Sequence, residues 1–246
     1  MTSTPCMQAF WMPYTANRDF KENPRIISRA QGNFYYTGDN TPILDATAGL
    51  WCVNAGHARA EIADAVHRQM MQLDYASPFN FGHDIGFEFA NRLIQHTPDP
   101  LNKVFFTNSG SEAVETALKI ALKYQSSRGK PEKSMLIGRE LAYHGVNFGG
   151  ISVGGLSANR TGFGPLLEVA HLPHTLDIDK NAFSYGLPEH GVQKAEALID
   201  LIDQHGAETI AAVIVEPISG AGGVIMPAQG YLQRLREICD EHDILL

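Results

Sequence analysis

KVFFTNSGSEAVETALKIALKYQSS, residues 103–127, is the stretch on which the fold turns. Its opening, KVFFTN (103–108), is β-branched and aromatic and predicts a strand. Residues 112–127 then switch to a helical period, with Ala113, Ala117, Ile120 and Tyr124 expected to face inward. Between the two lies Thr107-Asn108-Ser109-Gly110-Ser111-Glu112. Ser109 followed three residues later by Glu112 fits a capping box, which alone accounts for both residues. The same arrangement also suits an anion. The N–H groups of Gly110 and Ser111 would open the helix, the serine hydroxyls could donate as well, and Gly110 lets a ligand approach the backbone closely. Both readings stand at this stage.

Working outward, SMLIG (134–138) and TIAAVIVE (209–216) predict two further strands, and residues 192–204 (Val192, Ala195, Ile199, Ile202) and 230–242 (Leu232, Leu235, Ile238) predict helices. A Gly-rich region runs from Gly145 to Gly164. Upstream, Ile62, Val66, Met70 and Leu73 share one face of a helix over 60–73, and Ile85, Phe89 and Leu93 one face of the next. The runs IIS (26–28), NFYYT (33–37) and PILDA (42–46), broken by Gly32 and Gly38-Asp39-Asn40, predict a small antiparallel meander. The first ~23 residues, with Trp11, Pro13 and Tyr14, show no period and are expected to form an irregular arm packed on the body or on a partner, since exposed aromatic surface is costly. The strand–helix–strand rhythm implies an α/β fold, a mostly parallel sheet with helices on both faces. Asp243-Ile244-Leu245-Leu246 reads as the opening of another strand. Because parallel strands are usually buried and several residues long, a C-terminally incomplete chain is expected, a short edge strand being the alternative.

Composition narrows the function. The 246 residues are 44% hydrophobic, enough for a core, and the net charge of −8 disfavours nucleic acid, which needs a basic face. Cys6, Cys52 and Cys239 are scattered and form no CxxC, so they are expected to be reduced thiols in a cytoplasmic protein. The N-terminus lacks a basic segment followed by an apolar one, and the longest apolar run, IAAVIV (210–215), is far shorter than the ~20 residues that cross a bilayer.

Several motifs compete. Gly150-Ile151-Ser152-Val153-Gly154 fits a nucleophile elbow, but Gly-rich sequence stands where the elbow needs a strand and a helix. Gly129-Lys130 is followed by Pro131 and is no Walker sequence, and Gly162-Phe163-Gly164 does not continue into a dinucleotide fingerprint. His171-x-x-His174 and Cys239-x-x-His242 are thin evidence for metal, and His242 reads better as a cation near a helix C-terminus. Tyr143-His144-Gly145 follows one strand and Glu216-Pro217 ends another, at the carboxyl edge where α/β proteins bind ligands. Each by itself could be an ordinary loop residue. Together with Gly110 and Ser111 they put three unlike groups on one rim.

FFTNSGSEAVETALK (105–119), AYHG (142–145) and VEPISGAGGV (215–224) together resemble the class III aminotransferases. WMPYTANR (11–18) and LDATAGLWCVNAGH (44–57) are similar to the branch acting on β-alanine or other ω-amino acids with pyruvate. The resemblance covers essentially the whole chain. It implies the large domain of a pyridoxal-phosphate-dependent transferase of type I (aspartate aminotransferase-like), with residues 1–58 as arm and meander and 59–246 as an incomplete large domain. It implies that Ser109, Gly110 and Ser111 hold the phosphate of pyridoxal phosphate, that Tyr143 stacks on its ring with His144 beside it, and that Glu216 sits nearby. Trp51 and Tyr14 would line the substrate pocket, and the Phe79 segment would serve a partner's site in a homodimer. None of the eight lysines stands in the context of the family's Schiff-base lysine, so by resemblance that lysine and the acid opposite the ring nitrogen lie beyond Leu246. The implied activity is amino transfer from an ω-amine to pyruvate, and the alternative is a non-catalytic remnant.

Overall fold

The structure is a computed structural model and describes residues 7–246; Cys6 lies outside them. The chain divides into two compact units at Lys103/Val104.

In the first unit the arm contains a helix where an irregular run is expected. Asn17 makes it: its Oδ1 accepts from the Met12 N–H (2.9 Å) and its Nδ2 donates to the carbonyls of Met12 (2.8 Å) and Thr15 (2.9 Å), folding the chain into α1 (Asn17–Glu22). Phe10, Trp11 and Tyr14 remain exposed. The meander forms as expected from β1 (Ile27–Gln31), β2 (Phe34–Thr37) and β3 (Pro42–Leu44), all antiparallel. A single left-handed turn, α2 (Ala48–Trp51), follows, with positive φ at Ala48, Gly49, Leu50 and Trp51. For L residues this conformation costs about 1–2 kcal/mol each. Then come α3 (Ala60–Gln72) and α4 (Asp84–Leu93), which carry the expected apolar faces but bury no residue within the described chain.

The second unit is an α/β layer structure. α5 (Gly110–Ser127) precedes β4 (Met135–Arg139); α6 (Phe148–Val153), β5 (Val169–Leu172), a 3-10 turn at Val192–Glu196, α7 (Ala197–His205), β6 (Ile210–Val213) and α8 (Tyr231–Glu241) follow. The strands pair in parallel in the order β5-β4-β6. Leu245 adds a one-residue parallel bridge on Ala212: its carbonyl accepts from the Val213 N–H (2.8 Å) and its N–H donates to the Ala211 carbonyl (3.1 Å). The expected strand opening is therefore present as that bridge. Both faces are covered. Ile137, Leu172, Leu198, Ile202, Val213, Tyr231, Leu235 and Ile238 form one buried cluster, while Leu118, Ala121, Leu136, Val153 and Ala211 form the other.

Three expectations are corrected here. KVFFTN is not a strand among the described residues, and Phe105 and Phe106 are exposed. The inward face of α5 is the neighbouring stripe, Leu118, Ala121 and Gln125, and Ala113, Ala117, Ile120 and Tyr124 point outward. Gln125 joins the core with its Nε2 donating to the Ala211 carbonyl (3.1 Å), which offsets part of the cost of burying the amide, while its Oε1 has no partner among the described residues. The strand IAAVIVE is shorter than expected and stops at Val213, three residues before Glu216.

Candidate functional site

Ser109 is the N-cap of α5. Its backbone is extended and its Oγ accepts from the Glu112 N–H at 3.1 Å, while the Glu112 carboxylate accepts from the Asn108 N–H at 2.9 Å. The Ala113 N–H goes to the Ser109 carbonyl (2.9 Å). The cap is thus real, yet it uses neither the Gly110 nor the Ser111 N–H. Those two donors open an 18-residue helix at its positive end, and a Cβ built on Gly110 would meet nothing within 4 Å. Open space stands where an anion would approach.

The loop after β4 is tied to this helix end. The Val146 N–H donates to Ser111 Oγ at 3.2 Å, which leaves the Ser111 hydroxyl proton to point elsewhere. Gly145 has φ 99°, and a Cβ there would stand 2.6 Å from Ser111 Oγ, so the loop reaches the helix only because this residue is glycine. One turn further along, the Gly150 N–H donates to Glu115 Oε1 at 2.8 Å, and a Cβ on Gly149 would stand 2.7 Å from both Glu115 oxygens. Ser111 and Glu115, four residues apart on one face of α5, therefore grip the loop at two points.

Glu216 holds the other side. Its Oε1 accepts from the Tyr143 N–H (2.9 Å) and its Oε2 from the Gly220 N–H (3.0 Å). Both carboxylate oxygens of Glu216 stitch backbone together, a role the sequence reading did not give it. Tyr143 is about one-third exposed on that rim. His144 beside it is buried (6% exposed), its Nε2 has no hydrogen-bond partner among the described residues, and burial holds its pKa below the ordinary histidine value in spite of the opposing pull of Glu216. Burial thus favours its neutral imidazole form. Ser109, Ser111, Tyr143 and Glu216 thus make hydrogen bonds within α5 and the loops beside it, with Gly110 and His144 next to them in the chain, all within the second unit.

Two residues of that assembly were missed. Arg139, 1% exposed at the end of β4, donates from Nη2 to the Glu216 carbonyl (2.7 Å) and to Ser219 Oγ (3.1 Å), with its guanidinium 5.9 Å above the Tyr231 ring. Glu115 is the second. An arginine closing an otherwise apolar strand is the signal that could have found the first; for Glu115 the sequence offers none, because its partner is a backbone N–H.

Ser152 is fully buried inside α6, its hydroxyl donating to the Phe148 carbonyl and accepting from the Leu167 N–H (3.0 Å), so it is no exposed nucleophile. His171 Nε2 bonds the Gly154 carbonyl (2.9 Å), Cys239 is buried in the core, and no group of three metal-binding side chains exists among the described residues. No helix among them is long and apolar enough to cross a membrane. Tyr14, Trp51 and Phe79 lie in the first unit and are exposed.

The Aminotransferase class-III family model matches residues 15–246. An omega-aminotransferase of Caulobacter vibrioides is 56% identical over 241 residues, covering 98% of this chain and 55% of that protein. A beta-alanine–pyruvate aminotransferase of Pseudomonas aeruginosa is 49% identical, covering 98% and 54%. Among solved structures, an amine transaminase of an uncultivated Pseudomonas species in its PLP-bound form superposes with a TM-score of 0.88 at 36% identity, over 97% of this chain and 55% of that one. The omega transaminase of Pseudomonas jessenii in complex with PMP gives 0.88 at 35% identity, over 97% and 54%. The chain spans about half the length of the curated relatives it matches.

Proposed function

Since the chain belongs to the class III aminotransferases, we propose that it binds pyridoxal phosphate and contributes to amino transfer from β-alanine or a similar ω-amine to pyruvate. The observation that carries this reading is the N-terminus of α5: two backbone donors that its own cap leaves unused, open space over Gly110, and an aromatic loop bonded to Ser111 beside them. The residues fit the cofactor. Gly110 and Ser111 N–H groups would hold the phosphate, the Ser109 and Ser111 hydroxyls would donate to it, and the Tyr143 ring would lie against a cationic pyridine. When bound, pyridoxal phosphate supplies the carbonyl that takes up the amine and the conjugated ring that withdraws electrons from the amine-bearing carbon.

This chain's residues bind and orient. Glu216, by fixing the Tyr143 and Gly220 backbones, would keep the aromatic loop in one place through the reaction, and neutral His144 would add no charge next to the ring. We further propose that Tyr14, Trp51 and Phe79 contact the donor, that the protein acts as a homodimer, and that it is cytoplasmic; the names of the relatives and the resemblance of the quoted motifs support the donor class. Relatives also include a putrescine–pyruvate aminotransferase at 39% identity, so diamines belong in the same test. The test is made on protein that carries the Schiff-base lysine of the family and has been stripped of cofactor: alanine formation from pyruvate with β-alanine as donor, with and without added pyridoxal phosphate. Cofactor-dependent alanine supports the reading; no alanine, or alanine formed equally without cofactor, contradicts it.

A further inference from the structure

A second polar cluster lies in the first unit, around Asp45. Ala48, Gly49, Leu50 and Trp51 take φ of 49°, 59°, 55° and 67°, a left-handed turn closed by the Trp51 N–H on the Thr47 carbonyl and the Cys52 N–H on the Ala48 carbonyl, both 2.9 Å. Only Gly49 is at ease in that conformation; it persists at Ala48, Leu50 and Trp51 because the surroundings over-determine it. The surroundings are one carboxylate and its partners. Asp45 Oδ1 accepts from the Thr47 N–H and hydroxyl at 3.3 Å, and Oδ2 lies 2.8 Å from His57 Nε2. The Gly49 N–H, inside the turn, is the strongest of the groups that hold the Asp45 pKa down at about 2, ahead of His57, Thr47 and Tyr35.

The cluster is itself anchored. The Tyr35 ring lies tilted against His57 with centroids 4.6 Å apart, and His57 exchanges two backbone hydrogen bonds with Gly32 (3.1 and 2.8 Å). A Cβ on Gly49 would press on Val53 Cγ2 at 3.1 Å and Tyr35 Oη at 3.2 Å. The side chains of Asp45 and His57 are 4% and 12% exposed, whereas Trp51 at the end of the turn is 65% exposed. A buried polar cluster thus supports a strained turn whose outward product is an indole.

We propose that Asp45 and His57 are positioning residues that hold the left-handed turn and so present Trp51 in one orientation, which sets the size of amine donor the protein accepts. The inference rests on the reading of Trp51 as a donor-contacting residue. Trp11 and Trp51 are the only tryptophans of the chain, so Trp11→Phe leaves Trp51 as the sole reporter. In that background Asp45→Asn and His57→Gln lower the Trp51 fluorescence anisotropy and change its acrylamide quenching about twofold with far-UV circular dichroism unchanged; in protein that carries the Schiff-base lysine they also shift the ratio of KM values for an arylalkyl amine and β-alanine by roughly tenfold while kcat moves far less. Where Asp45→Asn fails to fold, adding Leu50→Gly relieves the strain at φ 55°, and the double variant folds with Trp51 still loosened.

Unchanged anisotropy in folded Asp45→Asn overturns the proposal, and so does a loosened Trp51 with an unchanged donor ratio. The fluorescence arm is independent of turnover. Wild-type protein that carries the Schiff-base lysine and makes no alanine therefore counts against the functional reading, whereas active protein whose Trp51 ignores Asp45 counts against this inference.

Discussion

The Tyr143 N–H donates to Glu216 Oε1 at 2.9 Å, joining the loop after β4 to the loop after β6 across 73 residues of sequence, and the second oxygen of the same carboxylate takes the Gly220 N–H at 3.0 Å. Parallel strands deliver their C-terminal loops to one edge, where nothing in the ladder itself holds those loops together. Glu216 supplies that link, and Arg139 holds its backbone from beneath.

Glu216→Gln keeps one carbonyl acceptor but turns an amide N–H₂ toward one of the two backbone donors. The expected loss is about 1.5–3 kcal/mol, the range for hydrogen bonds to a charged group. Urea unfolding measures it; a change below about 0.5 kcal/mol, the scatter of ordinary surface substitutions, contradicts the clamp.

Gly145→Ala places a methyl group 2.6 Å from Ser111 Oγ at φ 99°, so both the contact and the backbone resist it. The loop must leave α5, and the variant is expected to lose well over ~1 kcal/mol of stability and to bind pyridoxal phosphate at least ~10-fold more weakly. Gly162→Ala, with φ 88° but open space around it, is the control for backbone strain without the clash. Equal behaviour of the two in calorimetry and cofactor titration contradicts the close approach.

Burial pushes the Cys239 thiol up to about 11 from the ordinary 9.0, while Cys52 is exposed. Iodoacetamide attacks the thiolate, so native protein at pH 8 is expected to label at Cys52 and to spare Cys239 until it is unfolded. The sign for stability follows: burial of the protonated thiol stabilises below pH 9, and that contribution disappears as the pH rises through 11. Peptide mapping after native labelling checks this, and modification of Cys239 as fast as Cys52 contradicts its burial.

Asp243 lies 2.8 Å from Arg128 and 2.5 Å from Lys130, and these pairs lower its pKa to about 2 from 3.8. A depressed carboxylate contributes stability that is full above pH 3.8 and fades as the pH falls through 2. The side chains are 35–43% exposed, so screening limits the gain to about 1 kcal/mol at most. Asp243→Asn should flatten the acid limb of the melting temperature between pH 4 and 2 and barely change it at high salt; a parallel shift at every pH contradicts this.

The elements legible in the sequence are those whose local signal and tertiary environment agree. β4 is a short apolar run buried on both faces, α8 carries its core stripe at helical spacing, and the Ser109–Glu112 cap is spelled out by two residues. What misled was information that only partners supply. Val104 to Thr107 have the residue preferences of a strand, but a strand exists through its ladder, and none forms there among the described residues. α5 offers two stripes; the buried one contains Gln125, whose apolar role depends on the Ala211 carbonyl. In the candidate site the donors at Gly110 and Ser111 could be read from sequence, while the clamps made by Glu216, Glu115 and Arg139 could not, because each bonds backbone from a distant segment.

Comparison of pyridoxal phosphate with pyridoxal, which lacks the phosphate, tests the assignment of the α5 N-terminus most directly. If two backbone N–H groups and two hydroxyls hold the phosphate as proposed, calorimetric titration shows pyridoxal phosphate binding at least ~100-fold more tightly, and Ser111→Asp removes most of that preference. Equal affinity for the two compounds, or a preference untouched by Ser111→Asp, would contradict it.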